Sequence, residues 1–336
     1  MRDWAELLRV SALFTVPGDA LAGAAAAGLR PNRGTAYAVG ASLCLYEAGM
    51  ALNDWADRDE DAVDRPHRPL PSGRISPTAA LGAAGLLTAA GLTFAARAGR
   101  PALAVASALT ATVWAYDLRL KHTPAAPAAM AATRALDLLL GAAATKSAPT
   151  ARPSGRTAAD TAPSAPARGP ALSGRDARTP RGAAAARRGR IQPPTPGGSP
   201  VTLRTAAPAA AVLAAHTYAV TAVSRHEAHG GSTLTPLAAL GATTALGLLL
   251  ARTRARAGNV PALSAAAYVR TAAVPCLHAA LNPSAPLTQR AVGGGIRAMI
   301  PLQAALAARS GSAGTALTVL GLVPLARALA RKVSPT

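Results

Sequence analysis

Six of the fifteen acidic residues in this chain fall between positions 54 and 64, although 35 Lys and Arg give the whole chain a net charge of +20. Residues 53–74 read NDWADRDEDAVDRPHRPLPSGR. On one continuous α-helix, spacings of three and four residues would place four acids on one face. These acids are Asp54, Asp57, Asp61 and Asp64. Neighbouring carboxylates repel one another, and Mg²⁺ binds carboxylate and phosphate oxygens, so the stripe predicts a magnesium site.

Basic residues follow the acidic stripe directly. Arg65, Arg68 and Arg74 lie among prolines and Gly73, which end the helix and turn the chain. Guanidinium groups match the geometry of phosphate oxygens. Acids for a metal beside bases for phosphate indicate a diphosphate site. The alternative interpretation is a charged loop that is exposed to solvent.

Long apolar windows make up most of the remaining chain, which is half hydrophobic and only 3% aromatic. Five windows carry no charge and are close to the ~17–25 residues that cross a bilayer. They are 77–96, 101–116, 205–224, 234–251 and 310–326. Five more contain one or two ionisable residues: 10–29, 34–52, 123–145, 260–282 and 292–308. We predict an all-α polytopic membrane protein in which about nine windows span, with small residues allowing close helix contacts.

Residues 146–200 interrupt this pattern with Pro, Ser, Gly, Thr and Arg. Ten basic residues against two acids give the segment +8 of the net charge, and its lack of large apolar residues predicts a disordered loop. It would separate helices 1–5 in residues 1–145 from helices 6–9 in residues 201–332. Since neither aromatic interleaving nor a binding motif accompanies the charge, we predict no nucleic-acid partner.

The shorter links predict the orientation in the membrane. Residues 56–76 and 117–123 are rich in Arg, Lys and His, which are typical of cytoplasmic loops. With 225–233 on the same side, this pattern predicts a multi-pass protein of the cell membrane whose N-terminus and acidic site face the cytoplasm.

The pattern Asn53-Asp54-x-x-Asp57-x-x-x-Asp61, with its continuation DRPHRPLPSGRIS, resembles the first aspartate-rich motif of the UbiA-type intramembrane prenyltransferases. YDLRLKHT at 116–123 is similar to the Tyr-to-Lys motif of that family. The resemblance implies about nine transmembrane helices around a central cavity. It also implies Mg²⁺-dependent transfer of a prenyl group from an isoprenyl diphosphate to a lipophilic acceptor within the bilayer.

The resemblance assigns roles to individual residues. Asp54, Asp57 and Asp61 would hold Mg²⁺ and be catalytic, together with Glu227 from the second half of the chain. The diphosphate would be bound by Asn53, Arg65, Arg68, Arg74, Lys121, Arg225 and His226. Ionisable or aromatic residues within or beside apolar windows are candidates for the cavity, namely Asp19, Glu47, Tyr116, Arg134 and Asp137. Arg134 and Asp137 are three residues apart and could pair inside the membrane.

The second aspartate motif of the family is degenerate here. In SRHEAHGGSTLT, residues 224–235, Glu227 is the last acid of the chain. One interpretation keeps an active transferase in which Arg225 or His226 replaces the charge of a second metal. Another is a non-catalytic protein that binds or moves an isoprenoid or other lipid-like molecule. The segment is similar to an actinomycete branch of UbiA-like proteins.

Two further function classes explain part of the pattern. A soluble terpene synthase shares the acidic motif but not the repeated apolar windows. A metal transporter would use the acids within the apolar windows as a pathway, but it would not need the phosphate-type arginines. The resemblance therefore favours the prenyltransferase.

Overall fold

A computed structural model describes residues 2–147, 201–227, 230–252 and 259–333. Within these ranges the chain is helical, without a β-strand. The α-helices are α1 (Arg2–Leu7), α2 (Pro17–Ala26), α3 (Arg33–Ala56), α4 (Arg58–Asp64), α5 (Pro77–Ala98), α6 (Arg100–Ala115), α7 (Ala126–Ser147), α8 (Val201–Ser224), α9 (Leu234–Ala251), α10 (Val260–Leu281), α11 (Ala285–Arg309) and α12 (Ala313–Val333). A 3₁₀ helix covers Val10–Thr15 and a π-helical turn covers Tyr116–Leu120.

Most of every apolar window lies on these helical segments, so the predicted all-α class is confirmed. Window 10–29 is divided between the 3₁₀ helix and α2, which begins with Pro17 in its first turn. Helix α7 continues through Ser147, two residues into the predicted loop. Residues 148–200, where we expected disorder, lie outside the described residues.

The predicted number of about nine spans is not confirmed. In the described part of the chain, six helices are long and apolar enough to cross a membrane: α5, α7, α8, α9, α10 and α11. Among the rest, α2 has ten residues and α6 has 16, while the apolar part of α12 ends at Pro324. Helix α3 is 24 residues long but carries Glu47 and Asp54. Length and polarity thus separate the six helices from the other predicted windows.

Helices α2 and α7 approach each other closely at two glycines. A Cβ atom on Gly23 would lie 1.9 Å from the Leu138 carbonyl oxygen, and one on Gly141 would lie 2.3 Å from the Ala20 carbonyl oxygen. Backbone contact of this kind needs small residues on both helices. The contact positions Asp19 of α2 beside the polar face of α7.

We expect Gly141→Ala to lower the free energy of unfolding by about 1–3 kcal/mol, since the added methyl group forces α2 and α7 apart. Gly82→Ala in α5 is the matched control, because a Cβ there meets nothing within 4 Å. Thermal unfolding in detergent compares the two variants. Equal unfolding temperatures would contradict the assigned helix contact.

Candidate functional site

A cavity of about 800 Å³ lies between α3, α6, α7, α8 and α11. The middle part of the cavity, which we call the waist, is apolar. The apolar lining residues include Leu45, Met50, Leu109, Val113, Met130, Val292 and Ile296. Its charged lining residues are Arg9, Arg65, Arg68, Arg134, Arg225, Asp117, Asp137 and Glu227. Five guanidinium groups against three carboxylates suit an anionic ligand with an apolar body.

The acidic segment is not the single helix that we predicted. Helix α3 ends at Ala56, and Asp57, with φ −90° and ψ 1°, separates it from α4. Asp54 and Asp61 are buried, whereas Asp64 is exposed and leaves the predicted stripe. The physical reason is that pairing with cations from other segments governs the acids' positions, and such pairing is independent of helical spacing.

Each inward acid has a basic partner. Arg9 Nη2 lies 3.0 Å from Asp54 Oδ1, and Arg65 Nη1 lies 3.2 Å from Asp61 Oδ1. Arg68 Nη1 lies between the two carboxylates, at 2.7 Å from Asp61 and 3.6 Å from Asp54.

The third acid, Asp57, is paired with residues of the link after α6. Lys121 Nζ donates to Asp57, and His122 Nε2 lies 3.9 Å from the same carboxylate. Asp57, Glu60 and His122 each offer an atom within 4.8 Å of the other two. The four predicted metal ligands, Asp54, Asp57, Asp61 and Glu227, do not form such a group in the described residues. Asp54, Asp57 and Asp61 are instead engaged in ion pairs.

Arg9 and Asp117 belong to the site although neither was in the predicted set. Among the described residues, Arg9 is the one non-glycine residue with positive φ, at 48°. Asp117 accepts a hydrogen bond of 3.2 Å from Asn53 Nδ2. Burial raises the pKa of Asp117 to about 7, although the Asn53 hydrogen bond acts in the opposite direction. The sequence signals for these two residues were only their positions. Arg9 directly precedes the apolar window 10–29, and Asp117 directly follows the window 101–116.

The link after α8 contributes Ser224, Arg225 and Glu227 to the cavity lining. Arg225 Nη1 donates to the Thr123 carbonyl oxygen at 3.3 Å, so this link meets the one after α6. Burial raises the pKa of the half-buried Glu227, while the positive charge of Arg65 opposes that shift. Glu227 and the first acidic motif therefore share Arg65 as an electrostatic neighbour.

Three predicted diphosphate ligands lie outside the cavity lining. The Arg74 guanidinium contacts Asp3 and Glu6 of α1 and the His67 carbonyl oxygen. Arg74, Lys121 and His226 do not line the cavity, and neither do the acids Asp54, Asp57 and Asp61. The correction for Arg74 has a physical reason, since α1 offers it two carboxylates that sequence spacing does not place there.

The cavity candidates divide into two groups. Tyr116, Arg134 and Asp137 line the cavity, whereas Asp19 and Glu47 do not.

The predicted pairing of Arg134 with Asp137 is wrong, because Arg134 Nη1 lies 2.9 Å from Asp19 Oδ2 on α2. Asp137 instead accepts a hydrogen bond from Ser42. Gln303 Nε2 donates to Asp19 Oδ1 at 2.7 Å. Glu47 is 8% exposed, and its Oε2 has no hydrogen-bond partner in the described part of the chain.

We expect Arg68→Ala to lower the free energy of unfolding by about 1–3 kcal/mol, since it leaves two buried carboxylates with fewer partners. Arg74→Ala removes the same side chain from exposed partners, where ion pairs contribute little to stability, so we expect a smaller loss. The side chains of Asp54 and Asp61 are 6% and 2% exposed, against 37% and 47% for Asp3 and Glu6. Thermal unfolding without Mg²⁺ tests the difference, and an equal loss in both variants would refute it.

Two curated relatives can now be compared with this geometry. A digeranylgeranylglyceryl phosphate synthase of Methanopyrus kandleri is 37% identical over 129 residues, which cover 37% of this chain and 46% of that protein. A protoheme IX farnesyltransferase of Acidiphilium cryptum is 41% identical over 83 residues, which cover 24% of this chain and 26% of that protein. The chain thus spans less than half the length of each of these relatives.

Solved structures match more of the chain. The apo structure of a UbiA homologue from Aeropyrum pernix K1 covers 88% of this chain and 96% of its own, with a TM-score of 0.58 and 15% identity. A UbiA homologue from Archaeoglobus fulgidus, bound to GPP and Mg²⁺, covers 96% of this chain and 99% of its own, with a TM-score of 0.55 and 16% identity. At this identity the likeness is one of fold.

The family profile adds the final comparison. Described as the UbiA prenyltransferase family, it matches residues 11–167 and therefore ends before the link that holds Glu227. The predicted actinomycete branch stays a prediction. Residues 11–167, which include the first acidic motif, are thus similar to the UbiA prenyltransferase family, and the helical fold is that of solved UbiA homologues.

Proposed function

We propose that this protein transfers a prenyl group from an isoprenyl diphosphate to a lipophilic acceptor within the membrane, in a reaction that depends on Mg²⁺. The observation that carries the proposal is the cavity, which joins a charged end to an apolar interior. This end, the mouth, is lined by Asn53, Asp117, Glu227, Arg9, Arg65, Arg68 and Arg225. Three of its arginines are paired with the buried carboxylates of Asp54 and Asp61. A diphosphate fits the mouth and a hydrocarbon chain fits the interior. The solved UbiA homologue with GPP and Mg²⁺ supports the same ligand pair here.

The donor set fits Mg²⁺. Asp54, Asp57 and Asp61 supply hard carboxylate oxygens, and Asn53 supplies an amide oxygen beside them. When bound, the ion would neutralise the negative charge that develops on the departing diphosphate.

In the described structure these carboxylates are neutralised by Arg9, Arg65, Arg68 and Lys121. The same cations would turn from the carboxylates to the diphosphate oxygens, because guanidinium and ammonium groups bind both kinds of anion.

The apolar waist serves the other half of the ligand. Leu109, Val113 and Met130 would enclose the prenyl chain and exclude water from the allylic carbon as positive charge develops on it. Tyr116 lies in the lining near the mouth, where the face of its ring could stabilise that charge.

The degenerate second motif is compatible with transfer. Glu227 would be the acid of this link, with Arg225 beside it in the lining and Arg65 as an electrostatic neighbour. Fixed guanidinium groups can replace part of a second metal's charge. The second candidate function is binding or movement of an isoprenoid without transfer, and the single acid in residues 224–227 and 230–235 favours it.

We further propose that the site faces the cytoplasm of a cell membrane. Links 56–76, 117–123 and 225–227 meet through the Asp57–Lys121 ion pair and the Arg225–Thr123 hydrogen bond. Seven Lys and Arg residues lie in these links, and Lys and Arg are typical of cytoplasmic loops even where acidic residues accompany them.

The decisive test is isothermal titration of geranyl diphosphate into the purified full-length protein, with and without Mg²⁺. We expect Mg²⁺-dependent binding that Asp57→Asn weakens by about ten-fold or more, because ligand charge determines metal affinity. Glu227→Gln is expected to lower diphosphate release by at least about ten-fold when acceptors are supplied, since it removes the only charged oxygen ligand of that link.

Asp59→Asn is the matched control, since this acid of the same segment is 87% exposed and does not line the cavity. It should change neither binding nor release. A wild-type protein without Mg²⁺-dependent binding would contradict the diphosphate site. Binding without diphosphate release on any acceptor would establish the non-catalytic alternative instead.

Mg²⁺ and the diphosphate should bind cooperatively. Without the diphosphate, Mg²⁺ must compete with Arg9, Arg68 and Lys121 for the carboxylates, whereas the diphosphate gives these bases another anion. We expect saturating diphosphate to raise Mg²⁺ affinity by about ten-fold or more, a typical size for coupled sites. Titrating Mg²⁺ at several diphosphate concentrations measures the coupling, and independent affinities would reject the exchange of partners.

A further inference from the structure

A second polar cluster lies at the inner end of the cavity, far from the acidic motif. Arg134 and Asp137 of α7 and Ser42 of α3 line this end, and Asp19 and Gln303 are buried behind them. The cluster joins four helices through the contacts of Arg134 and Gln303 with Asp19 and of Ser42 with Asp137. Glycine allows one of these approaches, because a Cβ on Gly18 would lie 2.0 Å from Gln303 Oε1.

Helix geometry gives the distance between the two polar ends. Asn53 and Ser42 both line the cavity from α3, eleven residues apart, which corresponds to ~16 Å along the helix axis. Between them the lining residues of α3 are Leu45, Tyr46, Gly49 and Met50. The cavity therefore has a charged mouth, a mainly apolar waist and a polar inner end.

A simple hydrocarbon does not satisfy the inner end. Asp137 is 5% exposed and lines the cavity, so a ligand methyl group against it would remove its remaining solvent without replacing a hydrogen bond. Burying a polar group in that way costs free energy. Arg134 Nε also has no hydrogen-bond partner among the described residues. Both side chains favour a ligand with a polar group at this depth.

The charges of the cluster select the kind of polar group. Asp19 and Asp137 are the two acids of the cluster, and Arg134 is its basic residue, with Nη1 2.9 Å from Asp19 Oδ2. An additional anion would meet two acids, and an additional cation would meet the guanidinium group. A hydroxyl group is neutral, donates to a carboxylate and accepts from a guanidinium group.

We propose that the inner cluster is a subsite for a hydroxyl group of the acceptor, ~16 Å from the diphosphate end. The inference rests on the proposed function and names the acceptor class: a neutral, elongated alcohol or phenol rather than an acid. The hydroxyl donates to Asp137 and accepts from Arg134. It orients the acceptor along the waist, so that the opposite end lies near the mouth where the prenyl group leaves diphosphate.

The test uses alkyl diphosphates that differ only at the far end, which carries a methyl, hydroxyl or carboxylate group, over a series of chain lengths. Each displaces labelled geranyl diphosphate from the full-length protein in the presence of Mg²⁺. At the length that reaches the inner end, we expect the hydroxyl probe to bind about ten-fold more tightly than the methyl probe, and the carboxylate probe less tightly than either. Equal binding of the three probes at every length would overturn the proposal.

Asp137→Asn separates a binding role from a structural one. It should reduce the preference for hydroxyl over methyl to less than about three-fold and strengthen binding of the carboxylate probe by about ten-fold, since it removes a negative charge. A folding defect would not produce that gain. Asp59→Asn removes an exposed charge and should leave all affinities unchanged. Retention of the wild-type preference in Asp137→Asn would also overturn the proposal.

Failure of the proposed function has a different signature, in which the methyl probe and geranyl diphosphate do not bind at all. Long-chain alcohols and acids of equal length, added without diphosphate, then decide the inference through the shift in Tm. A larger shift with the alcohol, lost in Asp137→Asn, supports the subsite. Equal shifts overturn it.

Discussion

Buried carboxylates at one end of a helical bundle need counter-charges, and this requirement organises the structure around them. Asp54 and Asp61 have almost no contact with solvent, so each must be paired or hydrogen-bonded. Arg9 comes from the segment before the first apolar window, Arg68 from the turn after α4, and Lys121 from the link after α6. The ion pairs therefore hold together three parts of the chain that are far apart in sequence.

The same pairs explain how these acids and bases can share one end of the bundle without a ligand. An empty cluster of acids would repel itself, and an empty cluster of bases would do the same. When carboxylates and basic side chains alternate in one mouth, each set of charges stabilises the other. A ligand that combines a divalent cation with a polyanion can replace the pairs with new ones, so the number of unlike-charge contacts need not fall on binding. The interactions that stabilise the fold are thus available for the proposed chemistry.

Much of the fold follows from sequence, because apolar windows and helix formation are local. Most of every window lies on helical segments, and the paired acids Asp54 and Asp57 lie at the end of α3 and directly after it. The break at Asp57, the role of Arg9 and the Arg134–Asp19 pair did not follow. Each depends on a partner from a distant segment, whose position is determined by tertiary packing. Spacing along one helix placed Asp137 near Arg134, but the close approach of α2 brought Asp19 to the guanidinium group instead.

The distribution of charge along the cavity bears on how a degenerate second motif can function. Arg225 donates a hydrogen bond to the carbonyl oxygen of Thr123, two residues beyond Lys121. Arg65 forms an ion pair with Asp61 and is also an electrostatic neighbour of Glu227. The link after α8 therefore places the positive charge of Arg225 on the side of the mouth where the first acidic motif lies. A guanidinium group fixed in this way does not dissociate as a metal ion does, so part of the electrostatic stabilisation of a leaving diphosphate would be permanent. The mouth then needs fewer acids to recruit metal, which is consistent with one carboxylate, Glu227, in a link that borders so many bases.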